Sequence, residues 1–209
     1  SAVRALCLDA ALSLDLSKSS DKQVAEKEDA RASFLIPIAK AFSTDIGCRV
    51  ADLGIQVHGG MGYVEETGAA QVLRDVRVTA IYEGTNGIQA IDLIGRKLSD
   101  SGKAANGLID EIKITIRNCG DHEDLQIKEM GNRLSKSLVC MESSLNWMLK
   151  REDFNDRLAG ATPFLKAFGL LLGANYLVKA ALNTEALDRK SLAQFYCLNI
   201  LPEMEAYGF

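Results

Sequence analysis

Leu35, Ile38, Phe42, Ile46, Val50, Leu53 and Val57 step along the chain by 3, 4, 4, 4, 3 and 4. Only an α-helix brings residues at that spacing onto one side. So long a stripe predicts a long helix that needs a partner along its full length. Spacing of three and four also dominates elsewhere. The chain has only 3 prolines among its 209 residues. No strand-like alternation lasts beyond about six residues. The expected class is therefore all-α.

Other segments follow from the same rule. A first helix is expected over Ala2–Leu16, with Val3, Leu6, Ala10, Ser13 and Leu14 near one face. The polar stretch "SKSSDKQVAEKED" after it reads as a solvated loop. Pro37 should kink the striped helix or mark its true start, because it removes one backbone donor. "HGGMGYVEETG" (58–68) has four glycines in eleven residues and reads as a long loop. A short helix over 69–75 follows, and "RVTAIYEGT" then crosses as an extended segment or irregular turn. Asn86 with Gln89 fits a capping box opening the next helix, whose stripe is Ile88, Ile91, Ile94 and Leu98. The small, polar "SDSGKAANG" marks a boundary, giving one unit over 1–98 and a second over 99–209. Helices are expected in the second unit over 108–118, 123–150, 161–182 and 186–204. Leu134, Leu138, Met141, Leu145 and Met148 form a bundle seam. The 161–182 helix is apolar on nearly all sides and should be central.

Composition removes several functions. The net charge is -4 and no Lys/Arg run exceeds two residues, which argues against a nucleic-acid grip. The 5 cysteines lack CxxC spacing and, being odd in number, leave at least one thiol unpaired within the chain. They read as reduced thiols of a cytoplasmic protein. The 2 histidines, His58 and His122, have no ligands spaced for a tetrahedral zinc site, so no metal is expected. No secretory signal is visible. The longest apolar region, 164–178, is broken by Lys166 and Asn175 and falls short of the ~20 residues a membrane span needs. No membrane role is expected. The chain lacks an initiator Met and opens as if inside a helix, so it is expected to be a piece of a longer protein.

The residues alone point to one functional-looking region. "GGMG" is not a dinucleotide fingerprint, because a helix precedes it where a buried strand is required. Its glycines still let a ligand approach the backbone closely. Glu83 is a lone loop carboxylate, His58 reads as a satisfied hydrogen-bonding residue, and Glu65 with Glu66 as a solvated pair. Composition and spacing stop there.

Taken together, "QVHGGMGYVEE" and "VLRDVRVTAIYEGTNGIQ" closely resemble the C-terminal helical domain of the flavin-dependent acyl-CoA dehydrogenases. That family's pattern is a Gln-x-x-Gly-Gly-x-Gly-[Tyr/Phe] loop, an Arg-Asp pair, then Ile-Tyr-Glu-Gly-Thr leading into a helix. "IPIAKAFSTDIGCRVADLGIQ" resembles the helix that feeds the loop. The resemblance covers roughly the first half of the chain. The second half looks like the extension of a subgroup with an appended C-terminal helical domain, which includes methylmercaptopropionyl-CoA dehydrogenase-like enzymes.

The resemblance implies α,β-dehydrogenation of an acyl-CoA thioester with FAD. It makes Glu83 the catalytic base. It assigns Gln56, Gly60 and, more weakly, Gly59 to the FAD diphosphate, often that of a neighbouring subunit, and Thr85 to the flavin nucleotide. Many relatives carry Glu or Gln where this chain has Gly87, so only a backbone contact is open there. The α C–H is weakly acidic, so the base must be aimed and freed of competing water. Val78, Ala80 and Ile81 are the expected apolar wall that would raise its pKa, while the following helix start pulls the other way. The resemblance further implies a homodimer or homotetramer and an electron acceptor such as an electron-transfer flavoprotein. This chain by itself should hold FAD weakly or not at all, because the family's other domains are not within it. Two alternatives remain at this point: a helical oligomerisation module with a vestigial site, and a nucleic-acid-binding relative.

Overall fold

A computed structural model of the chain describes residues 1–184 and 186–207. Glu185, Gly208 and Phe209, all within the expected second unit, lie outside the described residues. The helices are α1 (Ala2–Leu16), α2 (Lys22–His58), α3 (Gly60–Tyr63), α4 (Ala69–Thr79), α5 (Asn86–Asp92), α6 (Lys103–Gly120), α7 (Leu125–Lys150), α8 (Phe154–Leu182) and α9 (Leu187–Phe195). Among the described residues there is no strand, so the fold is all-α.

Helix α2 starts more than a turn earlier than the sequence suggested. Asp21 caps it, its Oδ1 accepting from the N–H of Gln23 at 2.9 Å and of Val24 at 3.3 Å. The segment read as a solvated loop is polar but rich in Ala, Glu and Lys, which are strong helix formers. Pro37 neither starts nor ends the helix. It is buried within α2, where packing holds the backbone helical despite the missing donor. At the other end, the stretch expected to be a long loop is a compact corner. Helix α2 runs on to His58, α3 follows at once, and a 3-10 turn over Glu65–Thr67 leads into α4. The five residues Leu93–Lys97 form a π-helical turn after α5, closed by Leu98 N–H to Leu93 O at 3.2 Å. Helix α9 likewise passes into a π-turn, Tyr196–Ile200, and a 3-10 turn, Leu201–Tyr207, where one straight helix was expected.

Helix α8 is the centre. It touches α1, α2, α5, α6, α7 and α9. It is longer than expected and, by length and mean hydropathy of 1.3, could cross a membrane, but 72% of that window is buried in the bundle. Phe168 packs edge-on to Phe34 at 5.1 Å and to Phe164 at 5.7 Å. One apolar cluster runs from Leu6 on α1 through Phe34 and Ile94 to Met148 and Met204, so residues of both expected units share a core. A polar clasp also joins them. Arg31 on α2 binds Glu111 of α6 and, at 2.7 Å, Asp9 of α1, while Tyr176 of α8 donates to Asp9 at 2.5 Å. Burial alone would lower the Arg31 pKa, but the two carboxylates outweigh it and hold the guanidinium above its usual value.

The stripe that announced α2 divides in two. Leu35, Ile38 and Phe42 are buried against the bundle, whereas Val50, Leu53 and Val57 are 61%, 52% and 86% exposed. Beyond Phe42, Ile46 still packs against the core and Arg49 binds Glu203 at 3.0 Å; past these contacts α2 carries α3 and α4 as an arm. Helix α4 crosses α2 at Gly47, where an added Cβ would lie 3.1 Å from Val76 Cγ2.

Candidate active site

The bend between α4 and α5 carries Glu83. Helix α4 ends at Thr79, and Ile81 and Tyr82 both donate their N–H to Val78 O, at 2.9 and 3.1 Å. The chain then turns through two successive left-handed residues, Glu83 at φ 53° and Gly84 at φ 86°. Asn86 N–H to Ala80 O at 3.2 Å closes the bend. A non-glycine residue at positive φ costs about 1–2 kcal/mol unless its surroundings enforce it. Two side chains grip the carbonyls that follow: Gln89 Nε2 donates to Glu83 O at 3.2 Å, and Lys40 Nζ donates to Gly84 O at 2.7 Å. The Glu83 side chain is exposed and makes no hydrogen bond or ion pair among the described residues.

Thr85, and not Asn86, caps α5, its Oγ1 accepting from Ile88 N–H at 3.4 Å. The expected capping box does not form: the residue three after Thr85 is the apolar Ile88, and Gln89 bonds Glu83 O instead. Asn86 instead turns inward, donating to Asp45 Oδ1 at 2.7 Å, Thr44 Oγ1 at 2.9 Å and Ala41 O at 3.2 Å. Its Oδ1 accepts from Lys40 at 2.9 Å. This cluster pins the bend to the middle of α2. Lys40 was missed by sequence reasoning, although it lies in the quoted "IPIAKAF" stretch. A lysine on a helix face reads as solvated until the chain folds back over it.

The second group of residues sits at the far end of α2. Gln56 and Gly60 are exposed, and Gly59 ends the helix at φ 60° with its N–H on Gln56 O at 3.1 Å. A Cβ added at Gly59 or Gly60 would meet nothing within 4 Å, so bare backbone faces outward there. Gly62 is different: a Cβ would lie 2.5 Å from Ile55 O, and that glycine allows the corner to close. His58 Nδ1 lies 2.8 Å from Gly54 O, as expected of a satisfied histidine. Glu65 is not simply solvated. Arg74 donates to both its oxygens, at 2.9 and 2.8 Å, and these bonds hold its pKa below the usual value.

The two groups do not meet. Asn86 fixes the Glu83 bend beside Thr44 and Asp45, and Gly59 follows the end of the same helix. At 1.5 Å per residue, the separation along α2 is roughly 20 Å. Near the glycine corner, an open apolar groove of ≈ 470 Å³ runs between α2 and α4, lined by Val50, Gly54, Gly68 and Val72 among others. A hollow of ≈ 300 Å³ nearer the bundle is lined by Phe42, Asp45, Arg49, Arg77 and Lys166. Glu83 borders neither of them. Of its expected apolar wall, Ala80 is buried while Val78 and Ile81 are 52% and 53% exposed. Any slot at Glu83 therefore needs a second wall.

Residues 1–98 match the acyl-CoA dehydrogenase C-terminal domain, and residues 108–207 match the acetyl-CoA dehydrogenase C-terminal-like domain. The chain is 37% identical over 186 residues to 3-methylmercaptopropionyl-CoA dehydrogenase of Ruegeria pomeroyi, a match covering 88% of this chain and 32% of that protein. It spans about a third of the length of this relative and of a butyryl-CoA dehydrogenase of Syntrophomonas wolfei, to which it is 28% identical over 97% of this chain. Its fold is similar to that of Caenorhabditis elegans ACDH-11, solved in complex with C11-CoA, with a TM-score of 0.77 at 22% identity, covering 94% of this chain and 33% of that one. It is also similar to an acyl-CoA dehydrogenase of Bacillus anthracis complexed with FAD, with a TM-score of 0.68 at 19% identity, covering 99% and 40% of the two chains. Motif, fold and these matches together make the chain a member of the acyl-CoA dehydrogenase family, carrying its C-terminal helical domains.

Proposed function

We propose that this chain works as the C-terminal part of a longer FAD-dependent acyl-CoA dehydrogenase, with Glu83 as the catalytic base. One observation carries the reading. The Glu83 carboxylate is committed to no partner among the described residues, while its backbone is held in a strained conformation. A carboxylate kept for solubility needs no such backbone. Glu83 would take the proton from the α carbon of an acyl-CoA thioester. The half-exposed Val78 and Ile81, with Tyr82, offer an apolar face to one side of that substrate.

FAD, when bound, supplies the acceptor for the β-hydride. The residues present fit such a group. Gly59 and Gly60 offer backbone with no side chain in the way, and Gln56 stands exposed beside them. Gln56, Gly59 and Gly60 would hold one diphosphate, and Thr85 would face a flavin nucleotide. The roughly 20 Å between these sets along α2 favours their serving different subunits, and so a homodimer or homotetramer. The exposed Val50, Leu53 and Val57 suit such an assembly. The same face would equally suit a helical oligomerisation module. The division of the chain at residue 98 is proposed with this reading, supported by the polar turn there and by the match ranges 1–98 and 108–207. On the resemblance alone, the electron acceptor is taken to be an electron-transfer flavoprotein. The five unpaired cysteines favour a cytoplasmic location.

The test is Glu83→Gln in the longer flavoprotein. Turnover of acyl-CoA with an artificial electron acceptor should fall at least about 100-fold while flavin content is unchanged. Near-normal turnover would overturn the assignment and favour the oligomerisation module.

A further inference from the structure

Beyond the base itself, the structure holds an arrangement that decides where the base points. Glu83 and Gly84 are consecutive residues at positive φ, 53° and 86°. Such a bend relaxes by rotating the Glu83–Gly84 and Gly84–Thr85 peptide planes unless the carbonyl of each is held. Here both are. Gln89, one turn into α5, holds Glu83 O at 3.2 Å, and Lys40 of α2 holds Gly84 O at 2.7 Å.

Lys40 is chosen for this task by its surroundings. It is half-buried, and no carboxylate lies within ion-pair distance among the described residues. Its two recorded bonds go to Gly84 O and to Asn86 Oδ1. Compare Arg31, a cation of similar burial that binds two carboxylates and joins three helices. Arg31 is a structural clasp. Lys40 directs its whole charge at the bend, and a charged donor makes a hydrogen bond roughly twice as strong as a neutral one. Asn86 completes the linkage by bonding Asp45 and Thr44, so the bend cannot slide along α2.

We propose that Lys40 and Gln89 are positioning residues. By gripping the two carbonyls of the left-handed Glu83–Gly84 bend, they aim the Glu83 carboxylate at the substrate α carbon. This rests on the reading of Glu83 as base. A base aimed by its own backbone loses rate, and not substrate affinity, when the grip is released. Misplacement by about 1 Å costs on the order of 100-fold.

The experiment uses the longer flavoprotein, with rates normalised to bound flavin. Lys40→Met should lower kcat about 10- to 100-fold and leave KM for acyl-CoA within about twofold. The kinetic isotope effect for substrate deuterated at the α carbon should rise, because proton removal becomes more rate-limiting. Lys40→Arg, which can still donate to Gly84 O, should recover most of the loss. A merely structural loss would change the amount of active enzyme, not the isotope effect. Where Lys40→Met gives no soluble protein, Gln89→Leu decides by the same readouts. Glu83→Gln runs alongside. If it stays active, the base assignment fails. If it is inactive while Lys40→Met and Gln89→Leu keep full kcat, or raise KM alone, the positioning proposal fails and the base assignment stands.

Discussion

Helices α2 and α7 carry almost the same stripe and meet different fates. On α7, Leu134, Leu138, Met141, Leu145 and Met148 are all at most 5% exposed. On α2, burial stops at Phe42, and between residues 43 and 89 the buried positions are Gly62, Ala70 and Ala80, all small. The lesson is physical. Apolar spacing marks a face that is costly to leave in water, about 1.5–3 kcal/mol for each large side chain. It does not say which chain will cover that face. The bundle half of the molecule completes itself, and the arm half, where Glu83 and the glycine corner sit, leaves its apolar face uncovered within this chain.

Matched truncations give the largest effect that could break this comparison. Phe168→Ala, at the junction of Phe34 and Phe164, should lower unfolding stability by about 3–5 kcal/mol. Leu53→Ala, from the same kind of stripe, should change it by no more than about 0.5 kcal/mol in this chain alone. Urea unfolding of the two variants measures both. A large loss from Leu53→Ala would mean the arm is covered within the chain after all, and the contrast would be void.

The same difference explains what could be read from the sequence. Where burial is internal, pattern and structure agree: the class, the α7 seam and the central place of α8 were all legible. Where local chemistry decides, the pattern misled. Residues 22–32 are polar, yet Ala, Glu and Lys behind the Asp21 cap make them helical. The glycines of 59–62 read as a long loop because spacing cannot distinguish a flexible glycine from one used for close packing, as Gly62 is. The π-turns left no signal in the spacing. Glu83 could be named from its motif. Its positive φ could not, since nothing marks a glutamate for the left-handed region, and the Lys40 grip spans 44 residues.

Alkaline pH should sharpen the comparison with a smaller effect. Burial pushes the Cys119 thiol up to about 11 and, with Cys119 as a lesser cause, the Cys197 thiol up to about 12. In the unfolded chain a thiol titrates near 8.5, so above that pH the unfolded state holds fewer protons than the folded one. Their contribution is complete below about pH 8.5 and declines as pH rises toward the folded values, by up to roughly 1.4 kcal/mol per pH unit for each thiol. Half-buried Tyr176 and buried Tyr196, also shifted upward, add to the decline at higher pH. Urea midpoints from about pH 7.5 to about pH 10 should fall, and the double variant Cys119→Ala, Cys197→Ala should flatten that fall. The arm behaves in the opposite sense. Its Glu65, held low by Arg74, contributes above its usual carboxylate range and loses that contribution as pH falls. A flat alkaline profile in the unmodified chain would mean the bundle is more open to water than its burial indicates.

The smallest expected change is the most telling about the arm. Val57→Asn and Val50→Asn alter side chains that are 86% and 61% exposed, so the thermal midpoint of this chain alone should move little, within about 0.5 kcal/mol of stability. If a second subunit covers this face, each substitution buries an unpartnered amide there, which costs about 1–3 kcal/mol per group. The double variant should then dissociate at concentrations where the unmodified longer protein remains an oligomer, as read by sedimentation. The two measurements constrain each other. Unchanged stability with weakened assembly assigns the outer α2 stripe to a neighbouring subunit. Unchanged stability with unchanged assembly would assign it to another part of the same polypeptide, and the glycine corner would then serve a ligand held within one subunit.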